Sequence, residues 1–296
     1  MKVSVVIPNY NGRELLEKNL PSIISALNNL KNNIFEIVIV DDHSTDESIN
    51  YLNSKYKNKI RLIKHTKNRG FPASVNIGVR STIGDLICLL NTDVLPSINF
   101  LELVLDSFED EKVFAVSLHE KDYGPARGYF ENGFIQIGSK KESKIVENSF
   151  YVSGGSGLFR KSIWQELGGL DEKLLSPFYW EDIDICFRAA KRNYINLWNP
   201  FGKVIHNHES TISKLSKKYV DRIRERNQLL MLWKNLHSKA MFNKHLYGLL
   251  RRILKNPGYI RIVLMSLAKI GLILRARRKE IRECKVSDEA VFQKYQ

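Results

Sequence analysis

The sequence lacks the markers of several large protein classes. No run of about 18 uncharged apolar residues occurs, so no single segment is expected to span a bilayer. The opening MKVSVVIPNYNG carries one positive charge, a very short apolar core and no small-residue cleavage site. It reads as a first β-strand rather than a signal peptide. Cysteine is scarce: Cys88, Cys186 and Cys284 are odd in number and far apart, with no CxxC or Cys/His zinc spacing. That excludes a disulfide framework and points to reduced thiols in a cytosolic setting. No GxGxxG follows the first strand, which argues against a dinucleotide dehydrogenase. The run from Gly155 to Ser162 lacks the glycine that a phosphate loop needs directly before Lys161, and no GxSxG elbow is present. No internal repeat or low-complexity stretch is found.

Acidic residues are lacking in one region only. Of 46 Lys+Arg and 32 Asp+Glu, residues 1–210 hold 25 and 26, leaving 21 and 6 for residues 211–296. The first two thirds are therefore electrically neutral, and the whole formal excess of +14 comes from the last third. Such asymmetry marks a basic appendage that meets phosphates of lipid or nucleic acid.

What is present is an alternation of short β-rich runs with amphipathic helical stretches, the pattern of an α/β sheet covered by helices. Strands are expected at Val3–Ile7, Phe35–Val40, Ile60–Lys64, Asp85–Leu90 and Val113–Leu118. Helices are expected at Arg13–Leu30, Asp46–Tyr56, Phe71–Thr82 and Ile98–Asp110, with Asp46 and Ser97 as N-caps. Residues 123–151 read as irregular strands or loops. A short helix follows near Lys161–Leu167, another at Glu181–Arg192, and a strand at Lys203–His206. The tail reads as helices at Tyr219–Leu236, Asn243–Lys255 and, apolar around most of its circumference, Tyr259–Leu274.

Ligands of open α/β sheets sit beyond the carboxyl ends of the strands. Those ends here carry Pro8-Asn9-Tyr10-Asn11, Asp41-Asp42, Thr66-Lys67-Asn68-Arg69-Gly70 and Asn91-Thr92-Asp93. Asp93 delivers a carboxylate of the type a hard divalent cation takes, commonly shared with a diphosphate; the plainer reading is a polar turn. Asp41 and Asp42 are suited to a nucleobase imide or a ribose hydroxyl, unless one merely caps the next helix. In FYWEDIDICFR, Glu181 and Asp182 open a helix whose dipole favours ionised carboxylates. An ionised carboxylate there can accept a proton from an attacking sugar hydroxyl, the alternative being plain helix-start electrostatics. Asp184 and Arg188, four apart, are expected to pair. Tyr179 and Trp180 are either a platform for a sugar ring or core. His206 ends a strand and is a candidate metal ligand, with His208 as the alternative.

In order, the runs VVIPNYNG, VDDHSTD, KNRGFPASVNIG, NTDV, GGSGLFRK, GGLDE, WEDIDICFR and VIHNHEST resemble glycosyltransferase family 2, the inverting enzymes of GT-A fold, over about residues 1–210. The tail resembles the rhamnosyltransferase-like branch. The resemblance implies a metal-dependent, inverting transfer of a sugar from a nucleotide-diphosphate sugar to a saccharide or lipid-linked acceptor, in polysaccharide or glycan synthesis, with Mn2+ or Mg2+ as cofactor. It assigns the donor to Pro8, Tyr10, Asp41, Asp42, Asn68, Gly70, Asn76, Asn91 and Thr92, and the acceptor side to Gly155, Tyr179 and Trp180. The metal falls to Asp93 and His206, and the general base to Asp182 with Glu181 beside it. One position departs from the family's metal motif, whose first acid is Asn91 here.

The expected organisation is a GT-A catalytic domain over 1–212, split into a nucleotide-sugar half (1–120) and an acceptor and catalytic half (121–212), followed by a basic amphipathic helical region at 213–296. The tail's apolar arc beside dense Arg and Lys reads as helices lying on an anionic membrane surface, at the inner face of the cell membrane, or packed on protein. A homo-oligomer stays open. Nucleic acid is not expected as a partner, since the basic tail lacks interleaved aromatics. The competing enzyme class, a sugar-nucleotide nucleotidyltransferase, needs a Gly-rich basic loop after the first strand, and PNYNGRELL is not one.

Overall fold

In the computed structural model, residues 1–207 and 215–296 are described. The first half alternates as expected: β1 (Val3–Asn9), α1 (Arg13–Leu27), β2 (Ile34–Asp41), α2 (Ser48–Tyr56), β3 (Arg61–Lys64), α3 (Phe71–Ser81) and β4 (Leu86–Leu90). These are followed by β5 (Val94–Pro96), β6 (Val113–Glu120), β7 (Ala126–Glu131), β8 (Phe134–Ser139), β9 (Glu147–Asn148), β10 (Ser156–Arg160) and α4 (Lys161–Leu167). The rest is α5 (Glu181–Lys191), β11 (Ile195–His206), α6 (Lys217–Asn235), α7 (Lys239–Lys255), α8 (Ile260–Leu267), α9 (Ile270–Glu283) and α10 (Asp288–Lys294).

Among the described residues the main sheet runs β3-β2-β1-β4-β10-β6-β11-β5, with β9 beside β11. The strands β3, β2, β1 and β4 are mutually parallel; β1, β2 and β4 are mostly apolar, which suits a sheet covered on both faces, whereas the edge strand β3 carries Arg61 and Lys64. Antiparallel β10 is inserted between β4 and β6. One core lies between the sheet and α1–α2, including Leu16, Leu20, Ile23 and Leu52. A second lies on the opposite face under α3, α4 and α5.

Three regions depart from or sharpen the expectation. Ile98–Asp110 is a series of turns with a 3-10 segment at Leu105–Phe108. The Asn32 side chain donates to the Ile98 carbonyl and accepts from the Leu101 N–H, so a tertiary clamp takes groups that a helix would pair internally. The stretch 123–151 contains the β7–β8 hairpin, whose turn Asn132–Gly133 packs on Gly248 of α7. The apolar run after Tyr259 breaks at Ala268–Lys269, giving α8 and α9 set 69° apart.

The tail shares a core with residues on the other side of 212. Phe150, Leu174, Leu175 and Phe187 pack with Leu229, Leu230, Met231 and Leu232 of α6 and with Phe292 and Tyr295 at the C-terminus. Buried ion pairs fasten the same interface: Lys234 with Asp184 and Asp171, Lys191 with Asp288, and Arg192 with Glu280 and Glu283. Lys234 of the tail thus neutralises acids of the first two thirds, and three tail acids neutralise Lys191 and Arg192 at the end of α5. Asp184 also pairs with Arg188 at 2.9 Å, as its spacing predicts, and these cations outweigh burial to hold its carboxyl below the usual range.

Candidate active site

A cleft of about 440 Å3 opens at the carboxyl ends of β1, β2 and β4, where the topology places a ligand site. Its walls include Pro8, Asn9, Tyr10, Asp42, Asn68, Gly70, Asn91, Thr92, Asp93, Gly155, Tyr179, Glu181 and Asp182. Segments far apart in sequence are therefore brought to one cavity.

Each arrives by a local device. Asp93 follows β4, and β5 immediately after it pairs antiparallel with β11, matching Val94 to His206. That register sets His206 Nε2 at 3.2 Å from Asp93 Oδ1, while His206 Nδ1 lies 3.0 Å from Glu120 Oε1. Gly155 lets this layer close: a Cβ there would stand 2.5 Å from Asn91 Nδ2 and 3.4 Å from His206 Cε1. Burial pulls the His206 pKa down, but its hydrogen bonds to Asp93 and Glu120 and the two negative charges raise it to about 9. His206 itself lines a second, smaller cavity of about 170 Å3, shared with Glu120, Tyr151, Trp198 and Ser153, the last of which also lines the cleft.

The loop before α3 is organised by Asp42. Its Oδ1 accepts from the Arg69 N–H and lies 2.7 Å from His65 Nδ1, and its Oδ2 accepts from the Gly70 N–H. Gly70 has φ +87°, and a Cβ there would meet the Pro177 backbone at 2.9 Å, so only glycine fits where the loop touches residues 177–182.

The second wall starts at α5. Two consecutive non-glycine residues, Tyr179 and Trp180, are in the left-handed region at φ 72° and 74°. Asn227 of α6 holds them there, its Nδ2 donating to the carbonyls of Leu175, Phe178 and Tyr179 at 2.6, 2.9 and 3.0 Å. Glu181 and Asp182 follow directly. Asp182 Oδ1 accepts from the Ile183 N–H at 2.8 Å, and Oδ2 faces the Gly154 N–H at 3.4 Å. Burial raises the Asp182 pKa despite these bonds, and raises that of Glu181 further, with the Asp182 charge adding to the effect. The helix dipole was expected to keep both ionised; desolvation overrides it. Buried side by side, the two carboxyls oppose ionising both at once.

Three of the donor and acceptor residues expected from sequence lie off the cleft. Asp41 is fully buried behind the wall, where its carboxylate accepts from Asn9 Nδ2 and the Ser44 N–H and braces Asn9. Asn76 clamps α3 to the α4–α5 loop through paired hydrogen bonds with the Leu170 backbone. Trp180 packs into the core around α6. His208 lies outside the described residues. Conversely, Phe71, Ser74, Ser153, Phe178 and, from the tail, Leu215 and Tyr219 line the cleft without having been anticipated, and the contact of Glu120 with His206, in the smaller cavity, was not anticipated either. Glu120 was within reach of the strand-end rule, since it closes β6. Leu215 and Tyr219 carried no comparable signal.

Three buried polar atoms belonging to cleft residues have no hydrogen-bond partner: Asn9 Oδ1, Asp93 Oδ2 and Glu181 Oε2. Orphaned groups are rare in protein interiors and cluster where a ligand completes them.

The family profile described as Glycosyl transferase family 2 matches residues 4–168, more than half the chain. The pre-mycofactocin glycosyltransferase of Mycobacterium tuberculosis (strain CDC 1551 / Oshkosh) is 27% identical over 219 residues, covering 71% of this chain and 43% of its own. The dolichol-phosphate mannosyltransferase of Pyrococcus furiosus is 30% identical over 186 residues, covering 59% and 51%. The chain spans about half the length of these curated relatives. Among solved structures, the mannosyltransferase PcManGT from Pyrobaculum calidifontis in complex with GDP-Man and Mn2+ superposes with a TM-score of 0.57 at 18% identity, over 92% of this chain and 75% of that one. With its mixed sheet in GT-A order and a profile match spanning β1 to α4, the chain belongs to glycosyltransferase family 2.

Proposed function

We propose that this protein transfers a sugar from a nucleoside-diphosphate sugar to a saccharide or lipid-linked acceptor with inversion, aided by a divalent cation. One observation carries the reading: Asp93 and the Glu181–Asp182 pair, about 90 residues apart, share one cleft together with three unpaired buried polar atoms. Relatives named for glycosyl and mannosyl transfer support the reaction class.

The residues fit a cation. Asp93 is almost fully buried with Oδ2 unpaired, and His206 is oriented by Glu120, the carboxylate–imidazole arrangement that positions a metal-binding ring. Asp93 and His206 would hold the ion, with Asn91 adjacent. When bound, the cation neutralises charge that develops on the departing diphosphate. Holding the cation would require the neutral imidazole of His206.

The chain's own residues supply the rest. Pro8, Asn9 and Tyr10 would take the nucleoside, with Asn68 and Gly70 lining the same cleft. Asp182 accepts the proton of the acceptor hydroxyl as its oxygen attacks the anomeric carbon. Burial makes Asp182 more basic than an ordinary carboxylate, which favours this step. Its neighbour Glu181 sits on the same wall instead of across the sugar, so a single base drives a single displacement, hence inversion. The free thiols of all three cysteines fit a reducing, cytoplasmic setting.

The test is a panel of nucleotide sugars screened by thermal shift with and without Mn2+ or Mg2+, followed by transfer assays on Asp182→Asn. The variant should bind donor as the wild type does and lose turnover by about 10²–10⁴-fold. Normal turnover by Asp182→Asn, or no stabilisation by any sugar nucleotide, would overturn the reading.

A further inference from the structure

Helix α7 is apolar on two sides. Met241, His245 and Leu249 are buried, with His245 accepting from Trp233 Nε1 at 2.8 Å and lying 2.7 Å from the Gly133 carbonyl. At about 100° per residue, Leu246, Leu250 and Leu254 fall roughly opposite that face. They are 48%, 55% and 72% exposed, with Tyr247 beside them at 70%. The next two helices repeat the arrangement. In α8, Ile262, Val263 and Ser266 are buried, whereas Ile260, Leu264 and Leu267, spaced i, i+4, i+7, share an exposed face. In α9, Ile273 and Glu280 point inward, and Ile270, Leu274 and Ile281, spaced i, i+4, i+11, point outward. Isolated exposed leucines are unremarkable; three successive helices that each keep a second apolar stripe in water are not.

Exposed cations accompany these stripes: Lys244, Arg251 and Lys255 on α7, Arg261 on α8, and Arg275, Arg278 and Arg282 on α9. This chemistry selects the occupant. A second copy would bring two strongly basic surfaces together, which like charge opposes. A bilayer containing anionic lipid offers acyl chains to the leucines and phosphates to the arginines. No single described helix is long and apolar enough to cross a membrane. At about 1.5 Å per residue, α8 and α9 reach roughly 12 and 21 Å against a hydrocarbon core of about 30 Å, and the 69° bend between them suits helices lying flat.

We infer that the outward faces of α7, α8 and α9 form a lipid-docking surface that seats the protein peripherally on an anionic bilayer. The surface is joined to the cleft through α6, which packs on α8 and α9 and whose Tyr219 lines the cleft mouth. A shallow depression of mixed charge, lined by Lys217, Lys218, Asp221, Arg222 and Glu225 of α6 with Ile262 of α8, lies on the same helices. An acceptor carried on lipid would reach the cleft from that side.

Flotation of the full chain tests the inference with two kinds of vesicle, phosphatidylcholine alone and phosphatidylcholine mixed with phosphatidylglycerol. Wild type should float with the anionic vesicles, release in high salt, and show slowed hydrogen exchange in α7–α9 when vesicles are added. Leu250→Asp/Leu254→Asp/Leu264→Asp should lower partitioning by about tenfold or more, as should Arg275→Glu/Arg278→Glu. Both variants should keep the wild-type melting temperature, because the substituted side chains lie on outward faces. Failure of wild type to float, or equal flotation of a folded triple variant, overturns the inference. A concentration-dependent dimer in light scattering that the triple variant abolishes identifies a second copy as the occupant and overturns it equally. Flotation needs no turnover, so its outcome is separate from that of the transferase reading.

Discussion

Asn227→Ala tests whether the tail helix α6 shapes the catalytic wall. The Asn227 amide donates to three carbonyls of the turn that presents Tyr179 and starts α5. The amide nitrogen has two hydrogens, so one is shared between two of the carbonyls; at a net of about 1 kcal/mol for each of two hydrogen bonds, the substitution should destabilise the protein by roughly 2 kcal/mol. Left-handed Tyr179 and Trp180 each store about 1–3 kcal/mol of backbone strain, so the turn relaxes once its clamp is gone. Relaxation moves Glu181 and Asp182, and a displacement near 1 Å is enough to lower turnover by about 10²-fold. Asn227→Asp should be worse than Ala in stability: it keeps the size, loses the donors and sets a buried carboxylate against three carbonyl oxygens. Urea unfolding and initial rates on folded protein at saturating donor give the two readouts. Wild-type turnover in a destabilised Asn227→Ala, or no loss of stability at all, would refute the idea that α6 holds the catalytic turn in place.

Other consequences are more direct. Glu120→Gln removes the charge that orients His206 and should weaken Mn2+-supported donor binding by about 10–100-fold, measured as a Mn2+ titration of the donor-induced thermal shift. Because burial raises the Asp182 pKa, the base form is present above that pKa and is lost as pH falls through it. The acid limb of kcat should therefore lie above the usual carboxylate value of about 3.9, and a limb at or below that value would show that Asp182 is not the base. Gly155→Ala places a Cβ 2.5 Å from Asn91 Nδ2 and should impair donor binding more than it lowers the melting temperature, checked by calorimetry on both proteins. Lys234→Met removes one of two cations from the buried Asp184 carboxylate, leaving Arg188, and should cost about 1–3 kcal/mol in urea unfolding.

Much of the catalytic half was legible because its signals are local. Strands β1, β2 and β4 are continuous apolar runs that end in polar residues, and a parallel sheet gathers such ends at one edge, so Pro8, Asp42, Asn91 and Asp93 follow from periodicity and topology together. Glu181 and Asp182 were legible as acids opening an amphipathic helix. What stayed hidden depends on partners distant in the chain. Asn76 resembles a donor-pocket residue until Gly169, at φ +74°, brings the Leu170 backbone against it. Trp180 reads as a sugar platform until α6 covers it. Ile98–Asp110 has a helical pattern that Asn32 unpicks from 66 residues away.

The sequence by itself determined the layered α/β architecture, the acids at the strand ends and the segregation of positive charge into the last third. Each is a property of residue spacing within one segment. Only the tertiary structure decided which acids face the cleft, that desolvation rather than the helix dipole governs Glu181 and Asp182, and that Tyr219 of α6 lines the cleft. Burial and hydrogen bonding between segments depend on how surfaces meet, and no single segment encodes the surface it will meet.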